Sequence, residues 1–158
     1  QGVSENELAW AGVGQHQDLV NPASMLVYMG AIANGGKAAE PYLILKTTGT
    51  LGLPSLPHIT GHTGRLVSAD TAETLADMMA YNVEATYGAS RFPNMDICAK
   101  SGTAEVGADQ QPHAWFAGFL RNEDAPYAFV VLVENGGGGS SVAGSVAAKV
   151  LDVIVNGY

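Results

Sequence analysis

Ala99-Lys100-Ser101-Gly102-Thr103-Ala104-Glu105 is the stretch that decides how this chain folds. It sets a cation, two hydroxyls and a bare glycine side by side, just after the apolar Ile97-Cys98, in a segment that reads as strand. A glycine within a strand admits a second backbone, and an ammonium beside hydroxyls suits an anionic or carbonyl-bearing group. Side chains alternate along a strand, so Lys100 stands opposite Ser101 and Thr103, and all three reach one ligand only if the strand is the rim of a groove. The triplet alone is a weak signal, because average residue usage produces Lys-(Ser/Thr)-Gly in on the order of one chain in ten of this length.

Towards the C-terminus the spacing predicts three strands, Ile97 to Val106, His113 to Leu120 and Tyr127 to Glu134, separated by turns at Gly107 to Pro112 and Arg121 to Pro126. Connections this short join antiparallel neighbours, giving a meander. In the third strand Tyr127, Phe129, Val131 and Val133 alternate with Ala128, Val130 and Leu132, so both faces are apolar. Such a strand is expected to be covered on both sides and to lie deep in the sheet. Gly136 to Gly139 then leads into a last helix with Val142, Val146, Val150, Val153 and Ile154 on one face. A glycine run before a helix raises the question of a phosphate loop, but the Gly-Lys-(Ser/Thr) ending is missing, and Gly36-Lys37 continues with Ala38. A flexible turn is expected instead, and no cofactor is implied.

Towards the N-terminus, Ser68 is the expected N-cap of a helix whose buried face is Ala72, Leu75, Met79 and Val83, closed by Gly88 before the turn Arg91-Phe92-Pro93-Asn94. An earlier helix starts at Asn21-Pro22, buries Met25, Leu26, Met29, Ile32 and Ala33, and stops at Asn34-Gly35-Gly36. Tyr42 to Leu45 is a short strand candidate, and Thr47 to Arg65 reads as loop. His58 and His62 have the spacing of two ligands on one helical turn, but Pro57 and Gly61 oppose a helix and no third ligand follows, so no metal site is expected. Residues 1–20 read as a lead-in, anchored by Trp10 and Val13. The fold class is therefore α/β, more narrowly α+β: an antiparallel sheet with helices packed on both faces.

The length of 158 residues suits one domain able to bury a core unaided. A formal charge of -8, with seven scattered basic residues, excludes a nucleic-acid surface. Cys98, the single cysteine, cannot form an internal disulfide and reads as a small buried hydrophobe rather than a nucleophile. No run approaches the roughly 18 apolar residues of a membrane-spanning helix. The abrupt start at Gln1-Gly2-Val3 suggests a chain cut from something longer, and a membrane-anchored parent stays open.

The order of the motifs adds specificity. Gly14-Gln15, Asn21-Pro22-Ala23-Ser24-Met25, Ala31-Ile32-Ala33-Asn34-Gly35-Gly36 and Pro41-Tyr42-Leu43 resemble the middle of the penicillin-binding protein transpeptidase domain. Lys100-Ser101-Gly102-Thr103-Ala104-Glu105 resembles that family's Lys-(Thr/Ser)-Gly motif, His113 to Phe119 the strand after it, and Val133-Glu134-Asn135-Gly136 with the closing helix its end. The resemblance implies that residues 1–158 are the C-terminal part of such a domain, with a partial β-lactamase/transpeptidase-like fold. It also implies a D,D-transpeptidase that cross-links peptidoglycan stem peptides through an acyl-enzyme, is trapped by β-lactams, and works at the outer face of the bacterial cytoplasmic membrane. By the same resemblance Lys100 supplies positive charge, Ser101 and Thr103 bind the carboxylate of substrate or drug, and the Thr103 N–H forms half of an oxyanion hole beside Gly102.

The nucleophile of that family lies in Ser-x-x-Lys, and no serine here has lysine three residues later; Ser145 misses by one, its lysine being Lys149. Ser4-Glu5-Asn6 matches the family's Ser-x-Asn in letters only, being too close to Gly14-Gln15. The chain alone is therefore expected to be inactive. The resemblance also implies that the strand Tyr127 to Glu134 pairs with an N-terminal strand absent here, leaving its edge for the missing half or another copy. Two other readings stay open: a non-catalytic module holding a peptide or protein in the same groove, and a serine hydrolase using His113 as base, against which no Gly-x-Ser-x-Gly elbow is present.

Overall fold

In the computed structural model, residues 4–15, 19–44, 46–48 and 59–157 are described. Strand β2 (His113–Leu120) is its centre, flanked antiparallel by β1 (Ile97–Ala104) and β3 (Ala128–Val133) in the order β1-β2-β3. The meander follows from the short turns, and β2 is the most buried of the three because it alone has a neighbour on each side.

Register decides which side chains share a face. Ile97, Ala99, Phe116, Leu120, Phe129 and Val131 point to one side, packed under two π-helical turns (Val83–Tyr87 and Gly139–Ala143) and the last helix, α4 (Gly144–Asn156). Phe116 is the keystone there, its ring 5.2 Å from that of Tyr87 and 6.0 Å from that of Phe92. Truncating a buried phenylalanine of this kind to alanine costs about 3–5 kcal/mol. On the other side Cys98, Phe119 and Ala128 meet α2 (Pro22–Ala33) and α3 (Ala69–Asn82). Helices thus pack on both faces of an antiparallel sheet.

The expected caps form. Asn21 Oδ1 accepts the Ala23 N–H at 2.8 Å with Pro22 in the first helical position, and Ser68 Oγ accepts the Thr71 N–H at 3.1 Å. Gly36 ends α2 and Gly88 ends the second helical stretch, at φ +95 and +86, values that only glycine adopts without strain.

Five expectations are corrected. In α2 the buried residue is Ala31, while Leu26 and Ala33 of the expected face are exposed. The lead-in contains a helix, α1 (Glu5–Gly12), started by a capping box in which Ser4 and Glu7 bond each other's backbone; Trp10 and Val13 are exposed and lie outside the core of the described residues. Tyr42 to Ile44 is exposed and not a strand, while Leu45 lies outside the described residues. β3 is an edge strand, half-buried throughout, not a deep one. The π-turn before α4 buries Ala143 and α4 buries Gly144, Ala147 and Leu151, leaving Val146, Val150, Val153 and Ile154 exposed, because Gly144, whose Cβ would already touch the Phe116 ring at 3.4 Å, sets that face of the helix against the sheet.

Candidate functional site: the outer edge of β1

As an edge strand, β1 turns one row of N–H and C=O groups away from the sheet, and side chains close that row piece by piece. Asn82 Nδ2 donates to the Ala99 carbonyl at 3.2 Å. The Tyr87 hydroxyl accepts the Ser101 N–H at 2.7 Å and donates to Ser101 Oγ at 3.0 Å. Lys100 Nζ donates to the Ser101 carbonyl at 2.9 Å, and Gln15 Nε2 to the Thr103 carbonyl at 3.3 Å. By the ladder's alternation the Thr103 N–H points off the same edge.

Tyr87 reaches this edge because the helix widens before it ends. Gly88 N–H bonds the Val83 carbonyl at 2.9 Å, five residues back, and such a π-turn rotates the following side chains relative to a continuing α-helix. The ring is buried against Phe116, and the hydroxyl meets β1 at Ser101. Burial alone would raise the Tyr87 phenol, yet the hydrogen bonds with Ser101 and the nearby Lys100 charge hold it below its ordinary value.

Thr103 is tied from the other direction, its Oγ1 accepting the Gly139 N–H at 3.2 Å. Gly139 is buried, and a Cβ there would overlap the Gly102 carbonyl. The glycine run is therefore not a loose turn at this point: the backbone that the sequence led one to expect beside Gly102 is the chain's own. Both site hydroxyl oxygens thus accept from a protein donor, which leaves each O–H free to donate outward. Two hydroxyls and an ammonium at one rim can donate to an anion.

Lys100 starts from the opposite face, as alternation requires, and lies beside an apolar groove of about 560 Å³ lined by Met29, Leu75, Met79 and Tyr81. The structure therefore brings Lys100, Ser101, Gly102 and Thr103 together on one rim. It gives the other candidates local duties. His113 Nδ1 accepts the Asn135 N–H at 3.0 Å, a turn-flanking contact. Ser145 Oγ donates to the Ser141 carbonyl at 2.6 Å and accepts from Arg91 at 3.1 Å. Cys98 is buried, and burial pushes its thiol up to about 11. His62 bridges to Ala39, His58 lies outside the described residues, and no group of three potential metal ligands occurs among the described residues. Tyr87 and Gln15 were not legible as site residues: Tyr87 looks like helix packing, and Gln15 carried no role beyond its place in a quoted segment.

A family model described as the penicillin binding protein transpeptidase domain matches residues 2–152. The peptidoglycan D,D-transpeptidase PbpA of Mycolicibacterium smegmatis is 34% identical over 153 residues, covering 92% of this chain and 30% of the relative. PbpA of Mycobacterium tuberculosis is 32% identical, over 89% of this chain and 29% of its own length. Among solved structures, penicillin-binding protein A from M. tuberculosis in an imipenem acyl-enzyme complex superposes with a TM-score of 0.84 at 28% identity, over 96% of this chain and 34% of that one. The D,D-transpeptidase domain of a peptidoglycan glycosyltransferase from Eggerthella lenta gives 0.79 at 26%, over 94% of this chain and 38% of that one. The chain thus spans about 30% of the length of the curated relatives it matches.

Proposed function

The chain belongs to the penicillin-binding protein transpeptidase domain family, and from that membership we propose that it forms one wall of the active site of a peptidoglycan D,D-transpeptidase. The outer edge of β1 carries this reading. Ser101 and Thr103 hydroxyls donate to the terminal carboxylate of a stem peptide or β-lactam, and the Lys100 ammonium adds charge at the same rim. The bare Gly139 lets its backbone lie against the Gly102 carbonyl, and the Thr103 N–H supplies one donor to the oxyanion that forms when a nucleophile attacks the scissile carbonyl. That nucleophile comes from outside this chain, since no serine here precedes a lysine by three. No helix among the described residues is long and apolar enough to cross a membrane. The proposed setting is the outer face of the cytoplasmic membrane, with the chain, numbered 1–158, as the C-terminal part of the domain of an anchored parent.

Fluorescent penicillin provides the test. The parent protein should become covalently labelled, Lys100→Ala should slow labelling by about tenfold or more, and the chain alone should stay unlabelled. An unlabelled parent with its carboxylate-dependent peptide binding intact would instead support the non-catalytic module, as would the loss of Ser-x-x-Lys from the parent sequence.

A further inference from the structure

The contacts at Ser101 go beyond holding a strand edge. A serine hydroxyl has one hydrogen and two lone pairs, and can meet a ligand as donor or acceptor. Here the Ser101 N–H donates to the Tyr87 oxygen, 2.7 Å away, and the phenol in turn donates to Ser101 Oγ, 3.0 Å away. That hydrogen occupies a lone pair of Oγ, and the Ser101 hydrogen turns outward. Each bond in the chain polarises the next, so Ser101 becomes a better donor than an isolated serine. The phenol is held in place: its ring packs edge-on against Phe116, it is buried, and its backbone sits in the π-turn Val83–Tyr87.

We propose that Tyr87 is a positioning residue that fixes the Ser101 hydroxyl as a hydrogen-bond donor to an anionic ligand at the outer edge of β1. Tyr87 touches no ligand itself; it acts through Ser101. The inference rests on the transpeptidase reading above, because it presupposes that a carboxylate is bound at this rim.

The test uses the full-length parent protein and measures acylation rates with a penicillin as free acid and as its carboxyl ester, together with the melting temperature. Tyr87→Phe keeps the ring and removes the hydroxyl. It should slow acylation by the acid about tenfold while leaving the ester rate within a factor of two. Ser101→Ala should show the same selectivity, and adding Tyr87→Phe to Ser101→Ala should change the acid rate by less than about twofold. If Tyr87→Phe slows acid and ester alike, or adds its full effect to Ser101→Ala, Tyr87 is packing only and the proposal falls. Should Tyr87→Phe lower the melting temperature enough to blur the comparison, the acid-to-ester ratio still decides, since loss of folded protein scales both rates equally. A parent that neither penicillin form acylates overturns the transpeptidase reading itself, an outcome seen before any variant is made.

Discussion

Cys98 and Ser101 sit three residues apart on one strand, yet their environments separate them completely. Cys98 faces α3 with no accessible surface, and burial raises its thiol from the ordinary 9.0 to about 11. The unfolded chain therefore loses this proton first, so the thiol's contribution to stability is intact below about pH 9 and disappears as the pH rises through about 11. Denaturant titrations at several pH values should show wild type losing stability relative to Cys98→Ala across that window, and a pH-independent difference would contradict the assignment. The same burial predicts that a disulfide-exchange reagent labels the native protein only as fast as it opens. At the rim, by contrast, the sequence was informative about placement: Lys100, Ser101 and Thr103 were read as a strand edge, and they lie on β1, whose outer edge is open to side-chain donors. Tyr87 was not legible. Its part depends on one extra residue in a helical turn, and no propensity encodes that.

At the scale of elements, local chemistry and tertiary contact divide the outcome. Caps at Asn21 and Ser68, the stop at Gly88 and the three-strand meander were readable because each depends on groups within a few residues. The faces of α4 were not. Its sequence carries two apolar stripes side by side, and the one that packs is the one whose small residues Ala143, Gly144 and Ala147 allow close approach to the Phe116 ring beneath, with Val142 and Val155 at its margin. Ser4-Glu5-Asn6 shows the converse, since Ser4 and Glu7 formed a legible capping box that the lead-in reading passed over. Close packing of strands yields a sharp prediction at Gly118 on β2. A Cβ there would overlap the Cys98 carbonyl on β1, so Gly118→Ala should lower the unfolding free energy by about 1–3 kcal/mol through forced separation of the strands. Gly12→Ala, with nothing near its Cβ and a helical backbone, should be neutral or slightly stabilising, by up to about 1 kcal/mol. Equal denaturation midpoints for the two variants would show that β1 and β2 can relax apart without cost.

For the whole molecule, β3 and α4 pose one problem. The sequence of β3 is apolar on both faces, as in a strand covered by layers on both faces, and among the described residues its one ladder neighbour is β2. Leu120 N–H bonds the Tyr127 carbonyl, so alternation turns Val130 and Leu132 N–H away from β2. Helix α4, which packs beside β3, leaves Val146, Val150, Val153 and Ile154 between 42 and 54% exposed. An open edge next to a bare valine stripe is a surface that soluble chains avoid displaying. Since the chain spans about 30% of its curated relatives, we expect the rest of the transpeptidase domain to cover both, adding a strand at β3 and apolar side chains on α4. Alone, the chain should then associate into dimers or larger species as its concentration rises through tens of micromolar. Co-expression with the upstream half should yield a one-to-one complex in which the Val130 and Leu132 amides exchange slowly with solvent. Sedimentation and hydrogen exchange would measure both, and a concentration-independent monomer whose Val130 and Leu132 amides exchange freely, with no change on adding the upstream half, would mean that this edge is built to stay open.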